Sequence, residues 1–253
     1  MRENNFYKFH TKNLIEYIAL KFSGIKFFVS KSMLNHYKDK YRLNFENYEI
    51  IPCFNLNYEK TDNLSLKRYE NPSFVYAGSL SVWQNFEETL KIFKLIEDRI
   101  PSATLTLLTE ENEKALSLIN QYELKNIMVK YVSLNNLNKE LLKHKYGFLL
   151  RKDTKVNNVA TPTKMNSYLA CGVIPIYSDV IKDYSTNINL GNYDLKMKAT
   201  DSVEDIARKI IDFENLEKDF SHLDTYIKKI FSDYYNQNKY IHNISQRLKN
   251  FLL

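Results

Sequence analysis

An α/β fold, a parallel β-sheet with helices on both faces, is what this sequence of 253 residues predicts, on three observations. From residue 74 onward short apolar runs alternate with amphipathic segments. Cap-forming or helix-stopping residues sit at most of the junctions between them. Each interval between strands is long enough for a helix, and right-handed strand–helix–strand crossovers are the accessible connection.

Taken in order, residues 11–22 place Leu14, Ile15, Ile18 and Phe22 on one helical face. IKFFVS (25–30) reads as a short strand, 31–41 as a helix, and YEIIPCF (48–54) as a strand. The polar, patternless stretch 55–71 marks a domain boundary, dividing residues 1–60 from 61–253. FVYAG (74–78) has the composition of a buried strand. Asn85 with Glu88 has the spacing of a capping box, opening a helix that carries Phe86, Leu90, Phe93 and Ile100 and stops at Pro101. ATLTLLT (103–109) is a strand, and Thr109 is placed to cap a helix through 121. NIMVKYV (126–132) is a strand, Ser133 caps a helix near 136–144, and YGFLLR (146–151) is a strand. A short helix over 163–171 and the strand VIPIYS (173–178) follow. Ser202 caps a helix over 203–214, and one long helix covers most of 231–252.

Composition narrows the class. Hydrophobic residues at 44% and charged residues at 26% are ordinary for a soluble globular protein. No apolar run approaches the length of about 18 residues that a membrane span needs. The polar start MRENNFYKFHTKN lacks the apolar region of a secretion signal. Cys53 and Cys171 have no metal-ligand or CxxC spacing, which suits structural thiols in a reducing cytoplasm. The formal charge of +6 has two readings: the lysine-rich, asparagine-rich bias of an AT-rich genome, or attraction to anionic lipid headgroups. The lysines are scattered and no recognition module is present, so nucleic acid is not an expected partner.

Ligands of a parallel sheet bind at the carboxyl ends of its strands, which directs attention to the loops after Gly78, Thr109, Val132, Arg151 and Ser178. Glycine is scarce, five residues in all, and Gly78 ends a strand before a capped helix. It serves either a tight turn or the close approach of a phosphate to backbone N–H groups. The stretch LLRKDTKVNNVATPTKMNSYLACGVIPIYSD (149–179) is richer. Arg151 ends a strand, while Thr161, Thr163 and Lys164 surround Pro162 at a helix start, and Gly172 suits the helix end. A Lys and an Arg beside a helix N-terminus form a candidate diphosphate site. Trp83, the single tryptophan, sits in the loop after Gly78 and is a candidate for stacking on a ligand. Glu110 and Glu111 complement a helix dipole, Asp179 and Asp183 read as solvated loop acids, and no histidine is assigned a catalytic role.

FVYAGSLSVWQN, FVSKSMLNHYKDKYRLNFENYEIIPCF and the 149–179 stretch together resemble the family 4 glycosyltransferases of the GT-B fold, of the bacterial surface-polysaccharide and capsule type. The resemblance runs from about residue 25 to the C-terminus. It implies Rossmann-like domains, a UDP- or GDP-linked sugar held by the C-terminal one, and retaining transfer with no metal and no further cofactor. It also implies a carbohydrate or lipid-linked acceptor, at the cytoplasmic face of the membrane. Gly78, Ser79, Arg151 and Lys164 match the donor pocket, and Tyr168, Ala170 and Gly172 the helix that borders the nucleotide. Three departures accompany the match. Ser167 and Val159 stand where the family commonly has a pair of glutamates, and Val82, Trp83 and Gln84 where an Arg and a Lys are often found. Residues 1–60 resemble the end of the family's first, acceptor-side domain, so the expectation is a remnant of that domain, completed by a partner chain or a dimer mate, or else a homologue that has lost catalysis.

Overall fold

In the computed structural model, the described residues are 2–58, 66–216 and 219–252. They form two compact units, Met1–Pro52 with Asn236–Leu253, and Cys53–Tyr235.

The smaller unit begins with α1 (Arg2–Phe22), β1 (Lys26–Phe28), α2 (Lys31–Tyr41) and β2 (Tyr48–Ile50). The two strands pair in parallel, Phe27 opposite Glu49. Phe28, Leu34 and Phe45 make its buried centre. Ser30 caps α2 by accepting from the Met33 N–H at 2.8 Å, and α1 meets α2 through the Tyr17–Tyr41 ring pair and the Glu16 carboxylate, which accepts from Lys40 and Tyr41.

The larger unit runs β3 (Ser73–Ala77), α3 (Phe86–Arg99), β4 (Thr104–Leu108), α4 (Asn112–Gln121), β5 (Ile127–Lys130), α5 (Leu134–Leu141), β6 (Tyr146–Leu149), α6 (Lys155–Val159), α7 (Thr163–Ala170), β7 (Ile174–Ser178), α8 (Lys182–Asn187), β8 (Leu195–Met197), α9 (Val203–Asn215) and α10 (Leu223–Asp233). The last helix of the chain, α11 (Gln237–Leu252), belongs to the smaller unit. The six strands of the larger unit are all parallel, in the order β5-β4-β3-β6-β7-β8. Every residue of β6 and β7 is buried, as a parallel sheet flanked by helices requires. Renumbered within the sheet, the order is 3-2-1-4-5-6, and it reverses between β3 and β6. A crevice opens at the carboxyl ends of the strands at such a reversal.

Several local expectations are corrected. Asn85 takes a left-handed conformation (φ 55°), which turns its side chain away from the helix N–H groups, and its amide donates to the Glu88 carboxylate at 2.6 Å. Thr109 accepts from the Glu111 N–H at 3.2 Å, so α4 opens two residues later than a Thr109 cap would give. Ser133 holds the N-cap position of α5 and its carbonyl accepts from the Asn136 N–H at 2.9 Å, but its hydroxyl makes no capping bond to the helix backbone. The long helix expected over most of 231–252 is α11, Gln237–Leu252; residues 231–233 instead end α10, and between the two helices buried Tyr234 donates to Asp183 at 2.6 Å. That bond makes Asp183 a buried acceptor rather than a solvated loop acid. The short elements α6, α8 and β8, of three to six residues, were not expected.

Candidate functional site

Two glycines, Gly147 on β6 and Gly78 just after β3, leave room for α7 at the reversal point. Gly147, on β6, leaves room for the Tyr168 ring: a Cβ there would lie 2.6 Å from it. The Tyr168 hydroxyl, fully buried, accepts from the Ala77 N–H and donates to the Phe148 carbonyl, both at 3.3 Å. One side chain thus spans β3 and β6 and fixes α7 over the crevice. At its far end α7 closes in a Schellman arrangement, Val173 N–H to Tyr168 O at 2.8 Å and Gly172 N–H to Leu169 O at 2.9 Å, with Gly172 at φ 65°. Arg68 and Tyr69 donate to the Gly172 carbonyl there.

With α7 so placed, Lys164 meets Gly78. Gly78 has φ +129°, a conformation side chains rarely adopt, and a Cβ on it would fall 2.8 Å from both Cε and Nζ of Lys164. The Lys164 ammonium donates to Gln84 Oε1 at 2.5 Å and lies 4.4 Å from the Tyr76 ring centre. Gln84 in turn donates to Ser79 Oγ at 2.6 Å, and Tyr76 donates to the Ser79 carbonyl at 2.6 Å. Glu111 Oε1 accepts from the Leu80 N–H at 2.7 Å. The loop after β3 is therefore held from both sides. Burial, and next the charge of Arg151, push the Lys164 pKa well below the ordinary lysine range. Arg151, also buried, has its pKa lowered by burial, and its Nε has no hydrogen-bond partner. Among the described residues no carboxylate pairs with either cation.

Around these residues lies a cleft of about 330 Å³. Of the nine residues singled out in the sequence, Gly78, Ser79, Thr163, Lys164, Ser167 and Tyr168 line it. Arg151 is not part of the cleft lining and acts on Lys164 through its charge. Thr161 is buried away from the cleft and accepts from the Cys53 N–H at 3.0 Å. Trp83 is 54% exposed and off the cleft lining, and its carbonyl accepts from Asn157 Nδ2 at 3.0 Å. The Ser167 hydroxyl donates to Asn55 Oδ1 at 3.0 Å. Asn166 accepts from the N–H groups of Asn55 and Leu56 at 3.0 and 2.9 Å, which fixes that segment at the rim.

Three contributions escaped sequence reasoning. Gln84, the acceptor for Lys164, carried only one signal: it stands where a charged residue was expected. Asn55 comes from the stretch read as patternless. Tyr131, Leu134, Leu137 and Leu141 add apolar surface to the cleft lining, and in the sequence they are indistinguishable from core.

No protein-family model matches the sequence, and no curated protein matches it. Solved structures do. A Staphylococcus aureus TarM mutant in complex with fondaparinux, α-GlcNAc-glycerol and UDP matches with a TM-score of 0.64 at 13% identity, over 93% of this chain and 45% of that one. The pneumococcal O-GlcNAc transferase GtfA, in complex with UDP and GlcNAc, matches at 0.67 and 11%, over 92% and 47%. WaaG, a glycosyltransferase involved in lipopolysaccharide biosynthesis, matches at 0.63 and 10%, over 89% and 61%. The fold matches GT-B glycosyltransferase structures. This chain spans about half the length of the TarM and GtfA chains.

Proposed function

We propose that this chain is the donor-binding portion of a retaining, metal-independent glycosyltransferase, and that its cleft receives the nucleoside diphosphate of a UDP- or GDP-sugar. One observation carries the reading: two neighbouring cations, Lys164 and Arg151, stand without a carboxylate partner beside a glycine that keeps the rim open. A buried positive charge is costly unless an anion meets it. A diphosphate bridging the Gly78 loop and Lys164 supplies that anion, and the apolar wall with Tyr131 and Leu137 offers a face for the base. During transfer the same cations stabilise the departing nucleoside diphosphate as the glycosidic bond breaks. The acceptor, a carbohydrate or lipid-linked carbohydrate of surface-polysaccharide type at the cytoplasmic face of the membrane, is assigned to residues outside this cleft, in a partner chain or dimer mate.

Isothermal titration with UDP and with GDP tests the assignment. One of them binds, and Lys164→Ala weakens it about 10- to 100-fold, as loss of a charge-assisted hydrogen bond predicts. Absence of heat with both nucleotides, and an unchanged melting temperature in their presence, would remove the reading. A second reading, a homologue that binds nucleotide without turning it over, is favoured by Ser167: its hydroxyl is engaged with Asn55 and supplies no acid. Nucleotide binding without hydrolysis or transfer of any nucleotide-sugar selects it.

A further inference from the structure

Two lysines of the larger unit sit in protein-lined surroundings of opposite kinds. Lys145, which is buried, is matched to Glu214 Oε2 at 2.8 Å, so a carboxylate keeps its proton in place. Lys164 meets an amide oxygen instead, Gln84 Oε1 at 2.5 Å, which accepts one N–H and carries no charge. The Tyr76 ring lies 4.4 Å from Nζ, and Gly78 leaves the flank of Nζ without a side chain. Burial first, and then the charge of Arg151, favour the neutral amine. A neutral amine is a nucleophile where an ammonium is not, and desolvation beside a second cation is an arrangement that releases it. The same second cation attracts anions. Lys164 lines the cleft, whose volume of about 330 Å³ has room for a phosphate and a short acyl chain.

We propose that Lys164 is a covalent modification site, acylated by acyl phosphates, the mixed anhydrides of a carboxylic acid with phosphoric acid. The charge of Arg151 draws the phosphate, and the lone pair of Lys164 Nζ attacks the acyl carbon. An N–C bond forms and the C–O bond to phosphate breaks. The phosphate leaves with that electron pair and takes up the proton shed by the amine. The product is an amide, which keeps one N–H for Gln84 and gives up the positive charge. Its formation ends the repulsion between Lys164 and Arg151, so the feature that activates the amine also favours the product. The chemistry stands whether or not the cleft binds a nucleotide. Its consequence rests on the nucleotide reading: acylation removes one of the two cations and closes the cleft to a diphosphate.

Incubation of the full chain with acetyl phosphate, followed by peptide mass mapping at early times, tests it. The exposed lysines Lys139, Lys155 and Lys182 of the same molecule serve as the internal standard. Lys164 should acylate about tenfold or more faster than they do. Excess inorganic phosphate should remove that advantage by occupying the anion position. Gln84→Glu, which supplies the missing carboxylate, should slow Lys164 by about tenfold and leave the exposed lysines unchanged. Lys164 reacting at the pace of the exposed lysines overturns the proposal. So does an advantage that survives excess phosphate, or a Gln84→Glu chain, folded by its melting curve, that reacts as fast at Lys164 as the unaltered one. Calorimetry with UDP and GDP on the chain acylated at Lys164 reads the consequence, a loss of affinity of about 10- to 100-fold. Unweakened binding refutes the consequence, while failure of both nucleotides to bind the unmodified chain removes the nucleotide reading and leaves the acylation result in force.

Discussion

Lys164 is held by a neutral acceptor, Gln84, within the field of a second cation, Arg151. A phosphate favours the protonated ammonium, whose pKa burial and Arg151 lower, so nucleotide binding should draw in a proton. Affinity for UDP or GDP is then expected to fall as pH rises through the depressed Lys164 pKa, and calorimetry in buffers of different ionisation enthalpy would register the proton uptake. Gln84→Glu changes this in a defined direction. A carboxylate at that position raises the Lys164 pKa and competes with the phosphate, so the variant should bind nucleotide more weakly, by about tenfold, with a flatter pH profile. A Gln84 that served only to hold the loop would lower stability and leave the pH profile unmoved.

Among the helices, termini with side-chain caps and termini without them separate cleanly. Helix α9 opens with a full capping box: the Ser202 hydroxyl accepts from the Asp205 N–H, and Asp205 accepts from the Ser202 N–H. Behind it Ile206, Ile210 and Phe213 form the buried face. Ser202→Ala should therefore cost about 1 kcal/mol, read as a drop of about 2–4 °C in the melting of the larger unit. Asn85 shows the opposite outcome from a similar sequence pattern. The 3-10 turn over Val82–Gln84 ends on it in the left-handed conformation, and its side chain bonds Glu88 instead of the backbone. A four-residue pattern specifies which side chains are near one another, while the preceding turn decides which way they point.

Across the molecule, acid should destabilise the larger unit through His144. Its imidazole is 6% exposed, both ring nitrogens lack hydrogen-bond partners, and burial outweighs the pull of Glu140 to push its pKa down to about 4. In the unfolded chain it titrates near 6.5. Between these values the unfolded state binds a proton that the folded state refuses, so stability is complete above about pH 6.5 and is lost as pH falls toward 4. The loss amounts to about 2–3 kcal/mol. Urea midpoints measured from pH 7 to pH 4 should show this slope, and His144→Phe should flatten it.

The α/β class, the order of most elements and the strand-end location of Gly78 and Arg151 were legible in the sequence. Periodicity and caps act over a few residues and leave their mark in a short window. The helix positions of Leu14, Ile15, Ile18 and Phe22 were equally plain, but whether that face was core or surface was not, because burial depends on what packs against it. The reversal between β3 and β6, the fit of Lys164 against Gly78 and the recruitment of Gln84 and Asn55 were decided only by the tertiary structure. Each of these contacts joins residues 80 to more than 100 positions apart, or depends on a loop whose path is set by the packing of its neighbours. No local pattern carries that information.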